Sequence, residues 1–469
     1  MAKSRTNHPD WSIFVPVLPE KGPRPQALYA EIRRLIEEGR LPPGSKLPTT
    51  RDLAARFSLA RGAAVVAYEM LVADGFAEAR VGAGTYVARV VPTVGGLVVR
   101  ERKRPPEPQG PLPGALGCST ADETTIRTFR TLLNRHLTQP SARHYHYGQP
   151  AGGEDLRIEI AAYLRSARGV RCEADQVIVT SGTQQALDLV IRSLLSPGDA
   201  VWIEDPCYPM ARAAFSAAGM RLAAVPVDGE GLDVAAGERL SPDARAVYVT
   251  PSHQFPLGVT LTMSRRMALI DWARRNEAFV IEDDYDSEFR FSGPPLTSLQ
   301  GIDGDGRVIY IGTFSKTLMP GFRIGYLVVP RALVGRVLEV RQLTDRFPST
   351  LFESALAEFL RDGHFASHVK RARRRVRAAR DALVEVISGA GVSVGVPDQG
   401  LHLVAEVPPE GSDVEHVTRA AEVGFGLRAL STMYHGDETR QGLVIGFSGF
   451  PADVLASAAG RWAASLARR

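Results

Sequence analysis

The chain has 469 residues, 44% of them apolar, and a formal net charge of +4, so two or three domains with large cores are expected. It contains neither an apolar run of about 18 residues nor a charged-then-apolar leader, which argues against a membrane span and a secretory signal. Three scattered cysteines, Cys118, Cys172 and Cys207, lack metal-ligand spacing, so we predict no metal site and a cytoplasmic protein.

The first part of the chain is basic. Residues 1–104 contain 17 Lys and Arg against 10 Asp and Glu, a net charge of +7 that leaves −3 for the remainder. A polyanion is therefore the expected partner of this part alone. Residues 1–24 carry four prolines and no hydrophobic period, which indicates an N-terminal arm.

Residues 25–90 show the pattern of three helices followed by a β-hairpin. The first helix has one apolar face, and the second is capped by Thr49 or Thr50. After the third helix, Phe76–Ala79 and Thr85–Val90 have strand character and flank a glycine-bearing turn with a basic base. This order of elements predicts a winged helix-turn-helix.

Two segments of this region, GRLPPGSKLPTTRDLA and the wing VGAGTYV, resemble GntR-type DNA-binding domains. In that arrangement the third helix enters the major groove, while the second helix and the wing meet the backbone and the minor groove. The third helix begins at Ala60–Ala64 without the Ser or Thr that such domains usually have there. The residues predicted to contact a double-stranded DNA operator lie at element starts and in the wing: Thr49, Arg51, Arg61, Arg80 and Gly82.

Residues 91–116 are predicted to form a linker. They contain Gly95-Gly96, the basic run Arg100–Arg104 and five prolines from Pro105 onward. No core can be built from such a composition, and its proline-rich part should be semi-extended.

A single lysine dominates the second half of the chain. Val308–Ile311 and Ile324–Val329 read as buried strands, which places Lys316 just past a strand end, where open α/β sheets bind their ligands. A lysine there can form an imine with an aldehyde, and Arg323 can offer a fork suited to phosphate. Pyridoxal phosphate (PLP) carries both groups.

Two further strand ends carry groups that suit this cofactor. VIEDDYDSEF ends a strand in carboxylates and Tyr285, which can hold a pyridinium nitrogen and a phenolic oxygen. Another strand, Val177–Thr180, runs into Ser181, Gly182 and Thr183 at the start of a helix. Unpaired N–H groups and the helix dipole make that turn an anion site, with Arg323 and Ser315 expected nearby.

The motifs GTFSK with Arg323, EDDYDSEF and TPSHQFPLG resemble the MocR-like subfamily of GntR regulators. The resemblance implies an α/β fold class: the winged helix, a linker, and from residue 117 to 469 a fold-type-I aminotransferase-like PLP domain. That domain has a large part with a mostly parallel sheet and a small α+β subdomain from about residue 345. A long helix is predicted beyond Arg331 through Phe347-Pro348-Ser349-Thr350 into the small subdomain. The basic helical segment 368–381 is expected to be a solvated face, with a second DNA surface as the alternative.

The resemblance also implies roles for single residues. Lys316 would form the Schiff base, and Tyr208 would lie on the cofactor ring. Asp283 would face the pyridinium nitrogen, and its neighbour Asp284 is the alternative for that role. Tyr285 would face the phenolic oxygen. Tyr147 would reach the cofactor of the neighbouring subunit, which implies a homodimer. Where aminotransferases have an asparagine in the TPSHQFPLG turn, this chain has His253-Gln254-Phe255. Arg428 falls near the position that holds a substrate carboxylate.

Two functions remain open at this point. The first is a transcription regulator that senses PLP, or an amine or amino acid that condenses with PLP, and controls genes of vitamin B6 or amino-compound metabolism. The second is a PLP-dependent aminotransferase of a small amino acid with an accessory DNA-binding domain. The complete winged helix and the altered asparagine turn favour the regulator. Its aminotransferase-like domain would then serve effector sensing, and residual transaminase chemistry stays open. PLP, γ-aminobutyrate, taurine and ectoine-derived amines are not separated as effectors.

Overall fold

The computed structural model describes residues 24–90, 110–138, 146–294, 296–409 and 411–466. Contacts divide the chain into two compact units, residues 1–109 and 110–469. The predicted arm apart from Arg24, and the predicted linker apart from residues 110–116, lie outside the described residues. Within the described ranges, no helix is long and apolar enough to cross a membrane.

The first unit consists of three helices and a two-stranded hairpin, which confirms the predicted winged helix-turn-helix. The hydroxyl oxygen of Thr49 accepts a hydrogen bond from the Asp52 N–H at 3.2 Å and so caps the second helix. Apolar faces of all three helices, with Phe76 before the hairpin, form the core. The elements are α1 (Arg24–Glu37), α2 (Thr50–Arg56), α3 (Arg61–Ala73), β1 (Ala77–Arg80) and β2 (Gly84–Val87).

The second unit is built on an eight-stranded sheet. Its strands are β3 (Val177–Thr180), β4 (Ala200–Asp205), β5 (Arg221–Asp228), β6 (Gly231–Leu232), β7 (Ala246–Val249), β8 (Phe279–Asp284), β9 (Val308–Thr313) and β10 (Gly325–Val328). The spatial order is β3-β10-β9-β8-β7-β4-β5-β6. Only β10 and β6 run antiparallel to their neighbours, so the predicted mostly parallel sheet is confirmed.

Helices cover this sheet, because its central strands are buried along their whole length and both faces need apolar partners. They are α4 (Glu123–Thr138), α5 (Glu154–Arg168), α6 (Thr183–Leu194), α7 (Pro209–Ala217), α8 (Val234–Leu240), α9 (Met263–Arg275), α10 (Leu299–Ile302), α11 (Phe314–Thr317), α12 (Arg331–Thr344) and α13 (Glu353–Arg361).

The C-terminal part forms a smaller layer of helices on a three-stranded antiparallel sheet of order β11-β13-β12. Its core lies between the long helix α14 and the last helix α16. Its elements are α14 (His364–Gly389), β11 (His402–Ala405), α15 (Asp413–Glu422), β12 (Arg428–Ala429), β13 (Leu443–Gly446) and α16 (Ala452–Leu466).

One predicted helix is wrong in its extent. The helix from Arg331 was expected to pass through Phe347, but α12 ends at Thr344. Arg346 adopts a left-handed conformation with φ 67°. Pro348 disfavours helical backbone at the residue before it, which is a physical reason for the early end.

The topology brings several strand ends to one edge. Strands β4, β7, β8 and β9 are parallel, so their carboxyl ends meet there. Helix α11 begins directly after β9, and the Thr313 hydroxyl oxygen caps it by accepting from the Ser315 N–H at 3.1 Å. The sheet therefore delivers side chains from different parts of the sequence to a single place.

Candidate functional site

A cavity of about 370 Å³ lies at the carboxyl edge of the large sheet. The lining includes seven of the residues that the sequence predicted for a cofactor site: Thr183, Tyr208, Asp283, Tyr285, Ser315, Lys316 and Arg323. Residues of the small sheet and its loops, among them His402 and Arg428, line the same cavity.

Lys316 extends into the cavity from α11. Burial lowers the pKa of its amine, and the negative charges of Asp283 and Asp286 partly oppose that effect. A Cβ atom built on Gly117 would lie 2.6 Å from Nζ, so a side chain at this position would displace the amine from where it lies. An amine with a lowered pKa is more often neutral and is therefore a better nucleophile.

The carboxylate of Asp283 faces the cavity from the end of β8. Its Oδ2 accepts a hydrogen bond from the Tyr248 hydroxyl at 2.7 Å, whereas its buried Oδ1 has no partner among the described residues. Burial raises the pKa of Asp283 to about 7, and the Tyr248 hydrogen bond acts in the opposite direction. Asp284 does not line the cavity; its Oδ2 accepts from Arg168 at 2.7 Å and from the Tyr310 hydroxyl at 2.6 Å.

Cationic and N–H donors collect at another side of the cavity. Gly182, with φ 96°, is the N-cap of α6, and Thr183 is the first residue of that helix. A Cβ atom on Gly182 would lie 3.5 Å from the guanidinium nitrogens of Arg323. A helix N-terminus beside an arginine is an arrangement that can hold an anion. Ser181 lies beside it but does not line the cavity, and its N–H donates to Gln185 Oε1 at 2.6 Å.

Tyr208 and Tyr285 are two of the aromatic residues that line the cavity. Tyr208 precedes α7, and its ring makes an edge contact with Phe255 at a centroid distance of 5.7 Å. Burial raises the pKa of Tyr208. The Tyr285 hydroxyl donates to the backbone carbonyl of His253 at 3.0 Å. Burial, followed by the charge of Asp286, raises the pKa of Tyr285 well above its usual value.

Tyr147 does not reach the cavity of its own chain. Its side chain is 77% exposed, with the Arg346 guanidinium 4.3 Å above the ring and the Phe347 ring 5.9 Å away edge-on. Leu343, on the neighbouring helix α12, is 88% exposed.

In the first unit, the residues predicted to contact DNA are exposed. Arg51 lies in the first turn of α2, and Arg61 is the first residue of α3. The Arg80 guanidinium stacks 4.4 Å above the Tyr86 ring at the base of the wing, and Gly82 has φ 74° within the turn of the hairpin. The Thr49 hydroxyl is occupied in the cap of α2.

Comparison with known proteins gives two family matches. Residues 25–87 match the family "Bacterial regulatory proteins, gntR family", and residues 122–430 match the family "Aminotransferase class I and II". The probable rhizopine catabolism regulatory protein MocR of Rhizobium meliloti is 36% identical, covering 91% of this chain and 90% of that protein. The chain belongs to the MocR-like subfamily of GntR regulators.

This MocR-like chain is also similar to another regulator and to solved aminotransferase structures. The HTH-type pyridoxine biosynthesis transcriptional regulator PdxR of Corynebacterium glutamicum is 32% identical over 92% of this chain and 93% of that protein. Among solved structures, Pyrococcus horikoshii kynurenine aminotransferase in complex with PMP superposes with a TM-score of 0.68 and 28% identity. The superposition covers 75% of this chain and 90% of the aminotransferase chain.

Sequence reasoning missed several residues of the MocR-like cavity. Tyr248 lies on β7 and bonds Asp283, and the one polar group in the otherwise apolar strand AVYV was the available signal. His402 and the segment Leu116-Gly117 also line the cavity, although no motif pointed to them. The structure places Arg428, which the sequence could not position, on the cavity wall.

Proposed function

We propose that this chain is a transcription regulator that binds PLP on Lys316 and a double-stranded DNA operator through residues 25–90. The signal is PLP itself, or an amine or amino acid that condenses with it. The regulated genes belong to vitamin B6 or amino-compound metabolism, in keeping with the rhizopine catabolism regulator MocR and the pyridoxine biosynthesis regulator PdxR.

One observation carries the cofactor part of the proposal. The same cavity holds an amine whose pKa is lowered by burial, on Lys316, and a buried carboxylate oxygen of Asp283 that has no partner within the described part of the chain. A buried acceptor of this kind needs a donor to offset its lost hydration, and a protonated pyridine nitrogen is such a donor. A phosphate group suits the N-terminus of α6 beside Arg323.

The residues would then divide the work. When bound, PLP supplies an aldehyde with which primary amines condense. Asp283 holds the ring nitrogen and favours its protonated form, while Tyr208 packs beside the ring. Arg323 and the backbone of Gly182–Thr183 hold the phosphate. Arg428, on the wall that the C-terminal part contributes, is placed to receive a carboxylate or sulfonate of the effector.

The proposal includes a homodimer. Tyr147 is directed to solvent on its own chain, where it lies with Phe347 and Arg346 in an aromatic and cationic group, and Leu343 on α12 is also exposed. Large exposed apolar side chains grouped in this way mark contact surfaces. A second copy packed there would bring Tyr147 to the partner's cavity. A dimer also suits a two-part operator, because one winged helix reads only a short half-site.

The site assignment can be tested by borohydride reduction of the purified protein, followed by peptide mass analysis. A pyridoxyl adduct on Lys316 is expected, and an adduct on another lysine would overturn the assignment. If the effector is an amine, Lys316→Ala should keep basal DNA binding in gel shifts and lose the response to that amine. If PLP alone is the signal, the variant should lose the response to PLP.

An aminotransferase of a small amino acid is the second candidate, and a specific observation favours it. Lys316 and the acid-binding candidate Arg428 line one cavity in a fold shared with kynurenine aminotransferase. The two functions separate in a turnover assay with PLP, an amino-acid donor and a keto-acid acceptor. Sustained keto-acid production would support the enzyme, whereas operator release without turnover would support the regulator.

A further inference from the structure

A buried polar cluster lies behind Tyr285, and the proposed function gives it no role. It consists of His253, Asp286 and His402, whose residues are 1–3% exposed. Asp286 Oδ2 lies 2.9 Å from Nδ1 of His253 and accepts from the Leu401 N–H at 3.1 Å. The ring centroids of the two histidines are 4.7 Å apart.

The partners of each histidine assign its hydrogen. A carboxylate oxygen accepts, so Nδ1 of His253 is the nitrogen that carries the hydrogen toward Asp286. Nε2 of His402 donates to the carbonyl oxygen of Pro256 at 3.0 Å, because a carbonyl also only accepts. These two nitrogens are therefore already used as donors, and the cluster is organised by hydrogen bonds rather than as a set of free metal ligands.

The ring of His253 has little freedom to turn. A Cβ atom on Gly400, which has φ 85°, would lie 1.9 Å from its Cε1 atom, so the backbone of this glycine packs directly against the ring. A Cβ atom on Gly258 would lie 3.2 Å from Nε2. Two glycines thus permit close packing around the imidazole and fix the direction of Nδ1.

The Tyr285 hydroxyl touches this fixed histidine twice. It lies 3.0 Å from the His253 carbonyl oxygen and 3.1 Å from Nδ1. Because the hydrogen on Nδ1 is directed to Asp286, the tyrosine proton goes to the carbonyl. The charged and titratable groups around Tyr285 are the carboxylates of Asp286, Asp283, Glu204 and Asp284, together with Lys316 and His402 in the cavity.

We propose that His253, oriented by Asp286, is a positioning residue for Tyr285. It fixes the Tyr285 hydroxyl in the cavity. Because Nδ1 of His253 donates to Asp286, the backbone carbonyl oxygen is the acceptor that His253 itself offers to the tyrosine proton. The Tyr285 hydroxyl would then be placed to donate a hydrogen bond to the phenolic oxygen of a bound cofactor. The inference rests on the proposed function, since it assumes PLP opposite Tyr285.

The experiment follows the visible absorbance of the bound cofactor against pH in four proteins: wild type, Tyr285→Phe, His253→Leu and the double variant. Each single variant should move the pH midpoint of the absorbance change in the same direction, by about one pH unit. If His253 acts through Tyr285, then His253→Leu should add nothing in the Tyr285→Phe background. His253→Asn, whose amide N–H can replace Nδ1–H, should restore most of the wild-type midpoint.

Three outcomes decide the matter. An unchanged midpoint in His253→Leu, or a shift that adds fully to that of Tyr285→Phe, would overturn the inference. If the leucine variant fails to fold, as judged by thermal unfolding, His253→Met removes the same donor with a more flexible chain and replaces it in the cycle. A wild-type protein with no borohydride adduct on Lys316 would instead reject the proposed function.

Discussion

The Tyr248 hydroxyl donates a 2.7 Å hydrogen bond to Oδ2 of Asp283, and no described residue bonds Oδ1 of that carboxylate. Tyr248 lies on β7 and Asp283 on the adjacent strand β8, so the sheet itself sets this pair. The hydrogen bond stabilises the ionised carboxylate against the burial that raises its pKa to about 7. The tyrosine therefore supports the charge that Asp283 would present to a pyridinium nitrogen.

Tyr248→Phe should weaken PLP binding. Without the hydroxyl the pKa of Asp283 rises further, and the carboxylate is less ionised at neutral pH. A hydrogen bond to a charged group contributes about 1.5 kcal/mol, so affinity should fall about tenfold. Absorbance titration with PLP measures the change. Tyr310→Phe is the matched control, because it removes a hydroxyl that donates to Asp284, outside the cavity; an equal loss there would refute the role of Tyr248.

Gly182→Ala should lower cofactor affinity beyond its effect on stability. The added methyl group would lie 3.5 Å from the guanidinium of Arg323, in the space proposed for the phosphate. Gly198→Ala is the control, since Gly198 has φ 93°, close to the 96° of Gly182, and open space around its Cβ position. Each variant should lose about 1 kcal/mol of folding stability.

Thermal unfolding and PLP titration of the two alanine variants separate backbone strain from the loss of binding. Only Gly182→Ala should bind PLP more weakly, by about tenfold or more. Equal affinities in the two variants would remove the α6 N-terminus from the phosphate site.

Lys316→Met should raise the unfolding temperature of the cofactor-free protein at pH 7, by about 2 °C. Burial lowers the pKa of Lys316 in the folded state, so below that pKa the folded protein bears the full cost of a buried ammonium. As pH rises from the folded pKa toward 10.5, the unfolded chain keeps its proton longer and the cost disappears. The difference between variant and wild type should therefore shrink at alkaline pH, and a constant difference from pH 7 to 10.5 would contradict the pKa shift.

Arg51→Gln should weaken operator binding and flatten its logarithmic salt dependence by about 0.9 for one lost phosphate contact. Gel shifts or fluorescence anisotropy at several salt concentrations give the slope. Arg34→Gln is the control, because Arg34 is ion-paired with Glu31 at 2.7 Å and with Glu38 at 2.6 Å on α1. An unchanged slope in Arg51→Gln would exclude Arg51 from the interface.

The sequence by itself determined the elements and the chemistry at their ends. Hydrophobic periodicity located the winged helix and the buried strands, because an element that is buried on one or both faces has apolar residues at regular positions in its own sequence. Lys316 and the Ser181–Thr183 turn come just after strands β9 and β3, so a strand-end rule found them. Arg323 lies two residues before β10, and its distance from Lys316 in the sequence was the signal. The predicted helix beyond Arg331 was too long, because it ran past Pro348, which disfavours helical backbone at the residue before it.

Only the tertiary structure decided which neighbouring side chain faces the cavity. Adjacent residues of a strand point to opposite faces, so the pair Asp283-Asp284 contributes one carboxylate to the cavity and one to Arg168. Strand periodicity alone cannot choose between them, because the choice depends on which face the other strands and helices cover; Asp283 was assigned only through the family resemblance. Tyr248 and Arg428 reach the cavity through the sheet order and the placement of the small sheet, which are long-range contacts without a local signature.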